Sequence, residues 1–228
     1  MEKIYKNNWN DSYSRNENFI FYPKEEVVKF LSRFVRKKID IDKFQNIILR
    51  KDLKGLDYGC GIGINTWLMH EFNIDGFGID ISNNAIEKAR EIFPQISSKL
   101  SVTSGTEIPF PDNYFDLTIC DSVLDSMHFS LAKNLLKEIE RVTKDLVFLT
   151  FISGNDGKFS NPFVEEEVVS TQHENGTIQS WFNWKKILDI ISYTEFEVKW
   201  SRLMTEKSLL DEEFHGRYYV VLKKSIHD

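Results

Sequence analysis

Leu56-Asp57-Tyr58-Gly59-Cys60-Gly61-Ile62-Gly63 decides how this chain is read. The stretch closes a short predicted strand, Leu53 to Tyr58, and it precedes a helically spaced segment from about Ile64 to Phe72. Glycines between a strand and a helix let the backbone turn sharply and leave no Cβ between the chain and a ligand. The amino terminus of the helix that follows attracts a carboxylate or a phosphate. The spacing is not that of a dinucleotide loop, Gly-x-Gly-x-x-Gly. Counted from Gly59 the sixth position is Ile64, and from Gly61 it is Thr66. Asp57 would also crowd a pyrophosphate with like charge, whereas it suits a cationic group such as an α-amino group or a sulfonium. A nicotinamide-dependent oxidoreductase is disfavoured on both counts.

Outward from the loop, strands and helices alternate. Phe77-Gly78-Ile79-Asp80-Ile81 is predicted as a second strand, and Ser82 as the cap of a helix whose buried stripe is Ala85, Ile86, Ala89 and Ile92. Leu100 to Thr103 and Phe115 to Cys120 are the third and fourth strands, and a helix from about Ala132 to Val142 leads to the fifth, Leu146 to Ile152. That last run is almost continuously apolar, as expected of a strand buried on both faces. Strands separated by helices imply a parallel sheet with right-handed crossovers. Trp184 to Ser192 reads as another helix. Phe196 to Leu203 and Arg217 to Lys223 follow as an antiparallel pair, because their polar connection has no room for a crossover. Upstream, Pro23 opens a helix carrying Val27, Val28, Phe30, Leu31, Phe34 and Val35 at helical spacing.

No repeat, low-complexity tract or linker interrupts the 228 residues, so one domain is expected. Within it fall an aromatic amino-terminal arm and helix (1–40), a ligand-binding core (50–152), an insertion (153–183) and a carboxyl-terminal helix and strand pair (184–228). No run approaches the roughly 18 apolar residues of a membrane span. Met1 to Asn8 lacks the apolar centre of a signal peptide, so a cytoplasmic location and no membrane partner are expected. The net charge of −6, with both signs interspersed, argues against a nucleic-acid partner. The basic cluster Arg33, Arg36, Lys37 and Lys38 reads as the solvated end of a helix. Two cysteines do not make a disulfide framework.

Three motifs fall at successive strand ends: Asp-x-Gly-x-Gly-x-Gly at 57–63, Gly-Ile-Asp-Ile-Ser at 78–82, and Ile-Pro-Phe-Pro-Asp-Asn-x-Phe-Asp at 108–116. Together they resemble the class I S-adenosylmethionine-dependent methyltransferases. The motifs cover about residues 53–125, and the order of elements extends the likeness to the carboxyl terminus. The resemblance implies an α/β, Rossmann-like, doubly wound and mostly parallel seven-stranded sheet with an antiparallel carboxyl-terminal strand and helices on both faces. It implies S-adenosylmethionine as cofactor, with S-adenosylhomocysteine as product. Asp57, Gly59 and Gly61 would then line the methionine portion, with the backbone of Cys120 and Asp121 near its amino group. Asp80 would hold the ribose, and Ile81, Thr106 and Glu107 would surround the adenine. Trp9 and Tyr13 would fold over the cofactor, the Tyr13 hydroxyl reaching the methionine carboxylate. The family's strand order also makes Cys60 and Cys120 near neighbours, both read as reduced.

Methyl transfer is an in-line displacement, so alignment and exclusion of water come first and a base second. The expected bases are His173 and His128, then Asp125. His128 and Asp125 follow the fourth strand, and His173 lies in the 153–183 insertion, which is read as a structured lid. Glu165-Glu166-Glu167 reads as a solvated run or a first helical turn. The histidine spacing fits no metal site. The expected acceptor is the oxygen or nitrogen of a small polar molecule, with a sugar or related metabolite as the favoured class. A protein or nucleic-acid acceptor and a non-catalytic S-adenosylmethionine-binding protein remain open.

Overall fold

The computed structural model describes residues 2–154, 165–210 and 214–225, so residues 155–164 of the expected insertion lie outside the described residues. In chain order the elements are α1 (Glu2–Ser14), α2 (Glu25–Phe30), β1 (Arg36–Lys38), β2 (Phe44–Asn46), β3 (Lys54–Tyr58), α3 (Ile64–Glu71), β4 (Asp75–Asp80), α4 (Asn83–Ile92), β5 (Leu100–Val102), β6 (Phe115–Cys120), α5 (Phe129–Val142), β7 (Thr143–Ile152), β8 (Glu166–Val168), β9 (Ile178–Ser180), α6 (Trp184–Ile191), β10 (Phe196–Lys207) and β11 (Phe214–Lys224).

Seven strands form one sheet in the order β10-β11-β7-β6-β3-β4-β5. The β3, β4, β5, β6 and β7 pairings are parallel, whereas β11 runs antiparallel to both β7 and β10. This is the expected Rossmann-like arrangement. The period-2 alternation of β7 explains its near-continuous apolar sequence. Val147, Leu149 and Phe151 join one core with α5 and α6, while Leu146 and Phe148 join the other with α2 and α3. Phe30 stacks on Phe148 with ring centroids 5.1 Å apart. Ser82 caps α4, its hydroxyl accepting from the Ala85 amide at 3.2 Å.

Four local readings are corrected. The amino-terminal arm is a helix, α1, whose Tyr5, Trp9 and Tyr13 fall in one i, i+4, i+8 row. The basic cluster is solvated at Arg33, Lys37 and Lys38, as expected, but not at Arg36, which opens a hairpin and is buried. It donates to the carbonyls of Phe72 (3.3 Å) and Lys51 (3.0 Å) and to Asn46 Oδ1 (2.8 Å). The triple-Glu run is neither helical nor solvated throughout. Glu166 lies in β8 and accepts from the Phe129 amide and His128 Nδ1, both at 2.6 Å, supplying the cap that the start of α5 lacks locally. Finally, β3 does lie beside β6, but the two thiols are not neighbours in packing. Cys60 belongs to the α4 cluster with Ile86 and Leu100, whereas Cys120 packs with α5. Both are free and buried, as read.

Candidate active site

The site is built at the carboxyl ends of the parallel strands, around the glycine loop. Its turn is held by the Gly59 and Cys60 amides, which donate to the Ile79 carbonyl at 2.8 and 3.0 Å. Gly59 and Gly61 have φ of +71° and +52°, the left-handed region that a side chain disfavours. Each also faces a neighbour: a Cβ on Gly59 would strike Val123, and one on Gly61 would strike the Tyr13 hydroxyl.

Asp80 ends β4 with its carboxylate clamped between two backbone segments. Oδ2 accepts from the Gly61 amide at 2.9 Å and Oδ1 from the Ser82 amide at 2.8 Å. Burial raises its pKa, and these amides oppose the rise. Each carboxylate oxygen accepts more than one hydrogen bond, so capacity remains for a ligand. Asp57 is buried deeper. Thr66 Oγ1 donates to it at 2.7 Å, yet burial pushes its pKa up to about 7.

α1 lies across this edge, tied at two points. Asn10 accepts from Ser82 Oγ at 2.9 Å and its carbonyl accepts from Asn84 Nδ2 at 2.9 Å, while Asn8 Nδ2 donates to the Gly176 carbonyl. The aromatic row of α1 thereby roofs a cavity of about 790 Å³ up to its open mouth. Tyr5, Trp9 and Tyr13 form one wall, Tyr58, Gly59, Asp80, Ile81, Thr103, Gly105 and Thr106 the second, and Ser122, Val123, Ser126, Met127 and Leu131 the third. Burial raises the Tyr13 pKa well above its ordinary value, and the nearby Asp80 adds to this, so its hydroxyl stays a hydrogen-bond donor.

Of the residues expected from sequence, Trp9, Tyr13, Gly59, Asp80, Ile81 and Thr106 line this cavity. Asp57, Cys60 and Gly61 form the loop beneath it. Glu107 is exposed and lines a neighbouring shallow depression with Arg141. Asp121 points away to Lys24 Nζ (2.7 Å) and Thr150 Oγ1 (2.7 Å), and despite the penalty of burial this pairing holds its pKa below the usual range. Asp125 is fully buried, accepting from the Ile152 amide (2.8 Å) and Arg217 Nη1 (3.1 Å). His128 touches the roof edge-on through Tyr5. The His173 side chain is 59% exposed, with Nε2 3.7 Å from Glu174, and is not part of the cavity wall.

Sequence reasoning missed Tyr5, Lys24 and Arg217. The four-residue repeat Tyr5-Trp9-Tyr13 carried a signal for the first. Lys24 and Arg217 come from segments remote in sequence, whereas Ser122, at φ +60°, lies in the run after the fourth strand where acceptor-facing side chains are expected. Among the described residues no cluster of potential metal ligands occurs and no helix is long and apolar enough to cross a membrane.

Residues 49–201 match the family model described as a methyltransferase domain. The chain belongs to the methyltransferase domain family. Its Rossmann-like sheet is the class I form, for which S-adenosylmethionine is the cofactor. An uncharacterized protein of Methanocaldococcus jannaschii is similar to this methyltransferase at 31% identity over 121 residues, covering 52% of this chain and 48% of that protein. The chain thus matches about half the length of that relative. Among solved structures, a SAM-dependent methyltransferase from Methanosarcina mazei superposes with a TM-score of 0.65 at 20% identity, covering 78% of this chain and 95% of that one. The 1,6-didemethyltoxoflavin-N1-methyltransferase of Burkholderia thailandensis, with its substrate and S-adenosylhomocysteine bound, gives 0.70 at 12% identity, with 98% and 88% covered. These two likenesses establish the fold.

Proposed function

We propose that this methyltransferase transfers a methyl group to oxygen or nitrogen of a small molecule, with its cofactor in the cavity roofed by α1. One observation carries the placement. A buried carboxylate with spare acceptor capacity, Asp80, sits between a glycine cradle and an apolar slot bounded by Ile81, Met127 and Leu131. That donor set fits a nucleoside with a charged amino-acid tail. Asp80 accepts from the ribose hydroxyls, Ile81 and Thr106 flank the adenine, and the glycine loop leaves room for the methionine portion. Asp57 beneath the loop supplies negative potential to the cationic end once it ionises, at about pH 7 in the ligand-free fold, and the Tyr13 hydroxyl donates to the carboxylate end.

S-adenosylmethionine supplies a methyl carbon already activated by its sulfonium. The chain's own task is to align the acceptor and exclude water, contributions worth up to about 7–11 kcal/mol in favourable systems. The α1 roof serves exclusion. His128, whose Nδ1 is held by Glu166, stands near the roof as the better placed of the two expected histidine bases. Asp80 is the one charged side chain on the cavity wall among the described residues, which disfavours a polyanionic acceptor at this mouth. The test is calorimetry with S-adenosylhomocysteine on folded protein. Micromolar binding by the wild type, weakened in Asp80→Asn, is expected; absence of binding overturns the reading.

A further inference from the structure

A second cavity, about 730 Å³ up to its mouth, opens on the far side of Ser122 and shares no lining residue with the cofactor cavity. Ile152 at the end of β7, Gln179 on β9, Met204 and Glu206 on β10, and Arg217 and Tyr219 on β11 form its wall. It therefore occupies the same sheet edge as the cofactor cavity. A single residue pair separates the two. Ser122 lines the first, Arg217 lines the second, and Arg217 Nη1 donates to Ser122 Oγ at 3.0 Å.

The guanidinium is used from one side only. Among the described residues Nη1 alone has protein acceptors: Ser122 Oγ, Asp125 Oδ2 at 3.1 Å and Thr150 Oγ1 at 3.5 Å. Nε and Nη2 keep their N–H donors, the two-pronged edge that matches a carboxylate. Asp125 anchors the fork from the buried side, so Arg217 is oriented before any ligand arrives. The same wall carries the ring of Tyr219 and the thioether of Met204, surfaces that pack well on a flat ring. Glu206 is the acid on this wall; it is exposed and stands opposite His215 in the strand register.

We propose that this second cavity receives the methyl acceptor, and that the acceptor is a small planar anion, an aromatic carboxylate or phenolate, held by the free edge of Arg217. The assignment rests on the methyltransferase reading above and narrows its acceptor class away from neutral sugars. An anion held there by Arg217 lies beside Ser122, and its nucleophilic atom reaches past Ser122 into the cofactor cavity to meet the methyl carbon in line with the sulfonium.

The experiment uses the full chain saturated with S-adenosylhomocysteine. Salicylate and 4-hydroxybenzoate are the anionic probes, salicylamide and 4-hydroxybenzamide their neutral counterparts, and glucose the sugar control, all read by calorimetry and by melting temperature. The acids are expected to bind about tenfold or more tightly than the amides, with no response to glucose. Arg217→Lys, which keeps the charge and loses the fork, should weaken the acids about tenfold while S-adenosylhomocysteine affinity holds. Gln179→Trp narrows the cavity from β9, away from the strand that carries Arg217, and should abolish probe binding even where the Arg217 variant folds poorly. Equal binding of acids and amides, preference for glucose, or no probe binding at 5 mM (about five-thousandfold above a 1 μM site) would each overturn the proposal. Failure to bind S-adenosylhomocysteine would instead strike the cofactor reading, so the two failures are distinct.

Discussion

The Tyr13 hydroxyl lies 2.5 Å from the point where a Cβ on Gly61 would stand. The roof and the glycine loop are therefore fitted to each other, and the absence of a side chain at Gly61 is a steric requirement of the closed roof. Gly61→Ala adds a clash and places a Cβ at φ +52°. Its expected cost is about 1–2 kcal/mol of stability and about tenfold or more in S-adenosylhomocysteine affinity. Calorimetry paired with thermal melting separates the two effects, and unchanged affinity would mean that the roof does not close on the ligand.

Asp80→Asn retains an acceptor for one backbone amide and loses the charge. We expect S-adenosylhomocysteine binding to weaken by about 1.5–3 kcal/mol, roughly ten- to hundredfold, as for a charge-assisted hydrogen bond. A dissociation constant within about twofold of wild type would remove Asp80 from the ribose role.

Asp57 gives the protein a defined pH response. Its carboxyl ionises near 3.8 in the ordinary case and near 7 in the fold, because burial penalises the charge. Between those values the folded state holds a proton that the unfolded chain has released. Stability from this group is therefore complete below about pH 4 and is lost as pH rises through 7, up to roughly 4 kcal/mol in all. Urea unfolding of wild type and Asp57→Asn across pH 4–8 should show the gap moving in favour of the variant as pH rises. A constant gap would contradict the buried, raised carboxyl.

The two histidines separate by position. His173→Ala alters an exposed turn, so turnover of an acceptor probe is expected within about twofold of wild type. His128→Ala removes a partner of Glu166 beside the roof and should reduce turnover more than S-adenosylhomocysteine affinity. A large loss in the first variant, or none in the second, would reverse their assignments.

Phe148 carries the core between β7 and α2. Replacing it with alanine removes a fully buried ring stacked on Phe30, at an expected cost of 3–5 kcal/mol, or about 10 °C in melting temperature. A shift below about 3 °C would show that the α2 layer repacks freely.

What the sequence determined by itself is local and periodic. The glycine spacing at 59–63, the cap at Ser82, the acid at Asp80 and the nearly continuous apolar run at 146–152 each specify their own conformation or burial, and the alternation of elements then implies the sheet. The helix Glu2–Ser14 escaped because asparagines and charges obscure its apolar stripe, leaving only a four-residue aromatic repeat as a sign. The tertiary structure decided everything that depends on long-range approach. Glu166 caps a helix 37 residues earlier in the chain, Arg36 satisfies carbonyls on another loop, and Arg217 reaches Ser122 across 95 positions. Such partners are chosen by which strand ends meet at one edge, a property of the closed sheet that no window of sequence contains.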